Sequence, residues 1–199
     1  MKRPAVGAPG AVKDGVTGAV WRRDCCILRP YSPIPGSSLM TFKTADLVDE
    51  FDSELQVCNL PFLKFGRHRA FHGQVQTVKC FEDTALLKDA VQKPGSGKVL
   101  VIDAGGSTRV AMVGDIIAGL AIDNGWAGIV VNGCIRDSDE IDAMEIGLRC
   151  LGTSPKKSVK DGAGKVGIPV AFGGVSFHEG DHVYCDADGV LVSARSLIA

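Results

Sequence analysis

One stretch of the chain, Gly114–Glu140 (GDIIAGLAIDNGWAGIVVNGCIRDSDE), concentrates residue types that could do chemistry. It opens on Gly114 and Asp115, closes on the charged run Arg136, Asp137, Ser138, Asp139 and Glu140, and places 20 residues between Asp115 and Arg136. A helix and a strand of ordinary length span that gap and can bring both ends to one edge of a sheet. Gly114 and Asp115 stand where the helix begins, so unpaired backbone N–H groups and the positive end of the helix dipole can hold a carboxylate. Asp137 offers a hard oxygen ligand suited to Mg²⁺ or Mn²⁺, which take few protein groups and keep several waters. Arg136 can bind a carboxylate through two parallel hydrogen bonds. Glu140 can hydrogen-bond a metal-bound water. The plainer alternative is a charged surface turn with the usual excess of acids at a helix start, and spacing alone does not separate the two.

Other elements must position that unit. KVLVIDAGG reads as a buried strand running into glycines, VAMVGDIIAGLAIDNG as a helix beginning near Asp115, and AGIVVNG as another wholly apolar strand. Upstream, Thr44 is a candidate N-cap for ADLVDEFDSE, whose Leu47, Val48 and Phe51 share one helical face. PFLKFGRHRAFHG is broken by Pro61, Gly66 and Gly73 and reads as a loop. QVQTVKCF alternates as a half-buried strand, and EDTALLKDAVQK comes next as a helix with Leu86, Leu87, Ala90 and Val91 inward. Downstream come a short helix and strand edge in IDAMEIGLRCLGT, a basic loop in SPKKSVKDGAGKVG, and strands joined by tight turns in IPVAFGGVSF, DHVYCDADG and GVLVSARS. The sum is a single mixed α/β domain over 40–199 with short helices and a β-rich last third, too irregular in its alternation for a TIM barrel.

Composition narrows the function classes. An apolar content of 45%, 23% charged residues and a formal net charge of −1 describe a globular domain without the basic excess of a general nucleic-acid or membrane-surface binder. No stretch approaches the roughly 18 apolar residues of a membrane span. Seven scattered cysteines with no C-x-x-C pair point to a reduced, intracellular protein rather than to a zinc ribbon or a disulfide scaffold. Residues 1–39 hold five of the nine prolines and no apolar period, and read as a flexible arm. The arm is basic (Lys2, Arg3, Lys13, Arg22, Arg23, Arg29 against Asp14 and Asp24). It is read as an extension without a role, with an organellar transit peptide as the alternative.

Other motifs weaken on inspection. VLVIDAGGSTR has a glycine turn after a strand but lacks the G-x-G-x-x-G spacing of a dinucleotide site, so a structural turn is the better reading. His178 and His182 are separated by Gly180 and do not share a helix, and Asp186-x-Asp188-Gly189 starts a calcium-loop pattern that does not continue, which leaves a hairpin turn. His68 and His72 have no evident partner. The loop bearing Lys156, Lys157, Lys160 and Lys165 reads as a solvated face, or as the rim of an anionic substrate's entry path.

NGCIRDSDEID, together with DNGWAGIVV, VIDAGGSTR, VKCFEDTALL, FGGVSFHEGDHVYCDADGVLVS and TADLVDEF, resembles the regulator of ribonuclease activity A (RraA) proteins and the related 4-hydroxy-4-methyl-2-oxoglutarate aldolases over residues 40–199. The resemblance implies an αββα-type domain like a swivelling phosphohistidine domain, assembled as a homotrimer or hexamer and cytoplasmic. The aldolase branch carries an Asp, a 20-residue gap, Arg-Asp, and a further acid after two residues, which Asp115, Arg136, Asp137 and Glu140 match. By that resemblance Asp137 would bind a divalent metal, Mg²⁺ or Mn²⁺, with Glu140 behind it. Arg136 and the backbone of Gly114, Asp115, Ile116 and Ile117 would bind the substrate, and Asp115 would orient a proton-carrying water. The implied activity is that of a class II pyruvate aldolase or oxaloacetate decarboxylase, which needs no Schiff-base lysine. Longer aldolases of the family run on past the position of Ala199 and reach a neighbouring subunit's site, so oxaloacetate decarboxylation is expected ahead of cleavage of the branched six-carbon acid. The competing implication is a regulator that binds an endoribonuclease rather than RNA.

Overall fold

The two apolar runs read as buried strands are the centre of the domain. All five residues of Val99–Asp103 and all eight of Gly128–Ile135 are buried. Runs of this kind suit parallel strands covered on both faces. The protein is described by a computed structural model over residues 42–198; the arm at 1–39 lies outside the described residues.

In chain order the elements are α1 (Thr44–Phe51), a 3₁₀ turn (Asp52–Glu54), β1 (Leu55–Val57), β2 (Leu63–Phe65), β3 (Phe71–Lys79), α2 (Ala85–Val91), β4 (Val99–Asp103), β5 (Ala111–Val113) and α3 (Asp115–Asp123). They continue with β6 (Gly128–Ile135), α4 (Ser138–Asp142), β7 (Gly147–Thr153), β8 (Lys165–Val166), β9 (Val170–Phe172), β10 (Val175–Phe177), β11 (His182–Cys185) and β12 (Val190–Ser193). Ten strands form one sheet whose main path runs β1-β12-β11-β3-β4-β6-β7-β2, with β5 on β6 and β8 on β3. The core β3-β4-β6-β7 is parallel, and the outer pairings through β11, β12, β1 and β2 are antiparallel.

Strand alternation divides the core. Leu100, Ile102, Ile129, Val131 and Leu148 pack with Leu87, Ala118 and Ala121 of α2 and α3. Val99, Val101 and Val130 pack instead with the β9–β10 hairpin through Val170, Phe172, Val175 and Phe177. Each such side chain, fully buried, contributes roughly 1.5–3 kcal/mol, more than the propensity of helices only five to nine residues long can supply. The expectation of a single mixed α/β domain with few short helices holds. The cysteines at 58, 80, 134, 150 and 185 are all free and buried, and burial pushes the thiols of Cys80, Cys150 and Cys185 up to about 12. They therefore serve as small apolar side chains.

The helix begins at Asp115 as expected, and Ala111–Val113 ahead of it is β5, paired with the end of β6. Two local expectations are corrected. LKF within the supposed loop is β2, recruited antiparallel by β7. Thr44 does not cap α1. Lys43 holds the cap position without a side-chain bond, and the Thr44 hydroxyl and N–H both donate to the Asp186 carboxylate at 2.7 Å. A carboxylate 142 positions away outcompetes the local cap. Asp186 also accepts from the N–H groups of Asp188 and Gly189, so its DADG segment is the expected hairpin turn. Its own carbonyl receives Arg149, which is 1% exposed, donates also to the carbonyls of Arg69 and Leu148, and lies 5.0 Å over the Phe71 ring.

Burial alone would raise the Asp186 carboxyl, but donation from Thr44, Asp188 and Gly189 outweighs it and holds the group below its ordinary value. Asp83 behaves the same way: burial opposes, and the N–H groups of Ala85, Ala163, Asp161 and Gly162 prevail. A carboxylate lowered on folding contributes stability that is present above the unfolded value of about 3.9 and is lost as pH falls through the folded one. The urea midpoint should therefore stay level from about pH 7 to 5 and drop below about pH 4. Asp186→Asn should lower stability at neutral pH by roughly 1–3 kcal/mol and flatten that acid limb. An unchanged acid limb in the variant would refute the assignment.

Candidate active site

β5 and β6 are parallel neighbours, with Val113 registered against Ile135. The Arg136 N–H donates to the Val113 carbonyl at 3.0 Å, so the strands end side by side. The segments leaving the two strands are therefore adjacent: Gly114 and Asp115 enter α3, while Arg136 and Asp137 turn into α4. Ligands of parallel sheets collect at the carboxyl ends of strands, and both halves of the unit expected from the sequence meet there.

Contacts at this point are close. The Arg136 Nε lies 3.2 Å from Asp137 Oδ2, and the Asp115 N–H lies 3.4 Å from the same oxygen. A Cβ on Gly114 would come within 2.8 Å of Asp137 Oδ2 and 3.0 Å of Arg136 Nε, so only glycine leaves both groups in place. Asp137 itself sits at φ 52°, ψ 45°, in the left-handed region. Non-glycine residues reach that region at a cost, Asp and Asn most easily, and such strain clusters at functional sites. The side chains of Arg136 and Asp137 are 24% and 32% exposed, accessible yet held.

Gly114, Asp115, Ile116, Ile117 and Arg136 form one wall of a cleft of about 160 Å³, with Asp137 at its edge. Glu140 stands on the exposed face of α4, outside that lining and without a side-chain hydrogen bond among the described residues. Thr84, Lys88, Lys157, Ser158 and Lys160 line the same cleft. Lys157 and Lys160 belong to the loop expected as the rim of an entry path, whereas Thr84, Lys88 and Ser158 were not singled out from sequence. A larger cleft of about 560 Å³ lies at Lys79, Phe81, Asp103, Gly105 and Lys165, away from Arg136. Its glycine turn is internally satisfied: the Gly105 N–H donates to Asp103, and the Gly106 N–H to the Asn132 carbonyl. Those N–H groups cannot cradle a cofactor, which supports the structural reading of that turn.

No cluster of three His, Cys, Asp or Glu side chains converges among the described residues. Within them a zinc-type site made of protein ligands alone is excluded. One accessible carboxylate such as Asp137, with its remaining positions left to water and substrate oxygens, fits a hard divalent cation instead.

The family model for RraA-like proteins (Aldolase/RraA) matches residues 44–192. The chain belongs to the RraA-like family. A relative from Dechloromonas aromatica (strain RCB), named for 4-hydroxy-4-methyl-2-oxoglutarate aldolase, is 51% identical over 162 residues, covering 79% of this chain and 99% of the relative. Among solved structures, one from Geobacillus kaustophilus described as an S-adenosylmethionine:2-dimethylmenaquinone methyltransferase has a TM-score of 0.77 at 49% identity, covering 78% of this chain and 97% of its own. The RNA-processing inhibitor RraA from Thermus thermophilis has a TM-score of 0.77 at 38% identity, covering 80% and 97%. The RraA-like match agrees with the resemblance carried by NGCIRDSDEID. The Dechloromonas relative that carries the aldolase name is matched over nearly its whole length.

Gly114→Ala tests the packing. Its φ of −127° suits any residue, so stability should change by no more than about 1 kcal/mol. Displacing Arg136 and Asp137 should lower turnover by roughly 100-fold. A variant with wild-type turnover would show that this contact does not matter.

Proposed function

We propose that this RraA-like chain is a divalent-metal-dependent carbon–carbon lyase. It would act on 2-keto acids, cleaving 4-hydroxy-4-methyl-2-oxoglutarate-type acids and decarboxylating oxaloacetate, both through a pyruvate enolate. What supports this above all is the convergence of Arg136 and Asp137 on the start of α3 at the edge of one small cleft. A volume of about 160 Å³ suits a short-chain acid and not a nucleotide. The relatives named as aldolases support the lyase class.

In this reading Asp137 holds the cation, which when bound supplies Lewis-acid polarisation of the keto acid; Mg²⁺ and Mn²⁺ suit its hard oxygen. The N–H groups of Asp115, Ile116 and Ile117 take the substrate carboxylate, with the dipole of the nine-residue α3 behind them. Arg136 donates to the keto oxygen. As the bond beyond C3 breaks, its electron pair moves into the C2–C3 π bond and the negative charge settles on that oxygen, where Arg136 stabilises it. Asp115 orients a water that delivers the proton to C3 and completes pyruvate. In aldol cleavage the C4 hydroxyl passes its proton to that water as the second carbonyl forms; in decarboxylation the departing group is CO₂ and the water alone supplies the proton at C3. The chain would work as a homotrimer or hexamer in the cytoplasm; among the described residues no helix is long and apolar enough to cross a membrane.

Purified protein with Mg²⁺ or Mn²⁺ should release pyruvate from both acids above the metal-only rate. Chelation should abolish the excess. Asp137→Asn keeps a residue that tolerates the left-handed backbone, so its melting temperature should hold while activity is lost. Arg136→Ala should lower kcat by about 10²–10³. Full activity after chelation and in Asp137→Asn would overturn the metal assignment. A second reading, an endoribonuclease regulator, draws on the 38% identity to the RNA-processing inhibitor. It requires co-purification with an endoribonuclease and inhibition of its cleavage, retained in Asp137→Asn.

A further inference from the structure

Arg149 of β7 is the only lysine or arginine that is buried among the described residues, and it has no ion-pair partner among them. Its Nη atoms donate to the carbonyls of Leu148, Arg69 and Asp186. Its Nε has no acceptor, and among the described residues no other buried side-chain nitrogen or oxygen is left unpartnered. Burial pulls the group below its ordinary value, but a guanidinium in a protein stays charged. A cation taken out of water is costly unless it is paired. Three carbonyls and the face of Phe71 compensate the charge only in part. The carboxylate of Asp186 does not complete the compensation, because it is spent on the N–H and hydroxyl of Thr44 and on the N–H groups of Asp188 and Gly189.

A cleft of about 190 Å³ is lined by Arg149 together with Lys64 of β2, Asp188 and Gly189 of the β11–β12 turn, and the apolar Leu60 and Phe62. Lys64 is exposed and donates to the Ala187 carbonyl, which ties its ammonium to that same turn. A Cβ on Gly189 would meet nothing within 4 Å, so the space beside the turn is open. Two cations stand against one carboxylate, that of the exposed Asp188. This cleft shares no lining residue with the one beside Arg136. It also lies toward the other end of the parallel strands: Arg149 is registered against Val130 near the start of β6, whereas Arg136 follows that strand's last residue.

We propose that this second cleft binds a small oxyanion, a carboxylate or inorganic phosphate, with Lys64 donating to it directly and Arg149 supplying a fixed buried charge. The two roles divide by exposure. Lys64 can exchange the Ala187 carbonyl for a ligand oxygen at little cost, while Arg149 is held in place and acts through a medium of low dielectric, where its field is weakly screened. Asp188 is free to turn toward water. The volume admits a small acid or a phosphate and is too small for a nucleotide. A net lining charge of one suits a monocarboxylate best. Such a ligand would bridge β2, β7 and the β11–β12 turn, which are distant in sequence, and would therefore bind the folded chain alone and stabilise it with rising concentration.

The test is an amide NMR titration of the full chain with sodium acetate and, separately, with sodium phosphate, the ionic strength being held constant with sodium chloride. The Lys64 and Gly189 signals should shift and saturate, with a Kd on the order of 1 mM. Lys64→Met, at an exposed position, should keep the wild-type fold and pyruvate release and weaken the binding about tenfold. Lys157→Met, which alters the cleft beside Arg136, should leave these shifts unchanged. Saturation by acetate assigns a carboxylate, and saturation by phosphate alone assigns phosphate. Signals that respond to neither anion, that respond only around Arg136, or that saturate equally well in Lys64→Met overturn the proposal.

Discussion

The pairing of β5 with the end of β6 is the constraint on which the rest of the site depends. It is short, with Ala111 and Val113 set against Cys134 and Ile135. It stops two strands at the same level and delivers Gly114 to Arg136 and Asp137. Without it, α3 would have no fixed start relative to the Arg-Asp turn, and the close fit of Gly114 to both side chains would have no purpose. The pairing is secured from beneath because β6 is buried along its whole length between the helices and the β9–β10 hairpin. A site that needs an arginine and a carboxylate held to within an ångström gains from a strand that cannot slide.

A second layer of order is electrostatic. Asp83 and Asp186 are carboxylates taken out of water and satisfied by backbone N–H groups, and each ties together distant parts of the chain. Asp186 joins α1 to the β11–β12 turn next to the buried Arg149. Asp83 joins the start of α2 to the lysine loop. The charges around the small cleft are different in kind: Arg136 and Asp137 are partly exposed, and Lys157 and Lys160 are exposed.

Much of this was legible in the residues. The strands at Val99–Asp103 and Gly128–Ile135 announced themselves as apolar runs, α3 as a helix from Asp115, and the Arg136–Asp137 turn as a cluster that ordinary segment lengths could bring to Gly114. Glu140 shared the motif spacing yet stands on an exposed helix face, because spacing fixes position along the chain and not the direction in which a side chain points. Lys88 and Thr84 carried no signal, since their relevance comes from elements that approach them only in three dimensions.

The amino-acid order by itself therefore determined the fold class, the buried strands and the two ends of the candidate unit, because these rest on periodicity and spacing within a few turns of chain. Tertiary structure decided that Ala111–Val113 is a strand, that Thr44 serves Asp186 rather than its own helix, and that a basic loop lines the cleft beside Arg136. In each case the deciding hydrogen bond joins residues far apart in the chain. Local propensity, worth less than about 1 kcal/mol per residue, yields to a long-range bond that also satisfies a buried group.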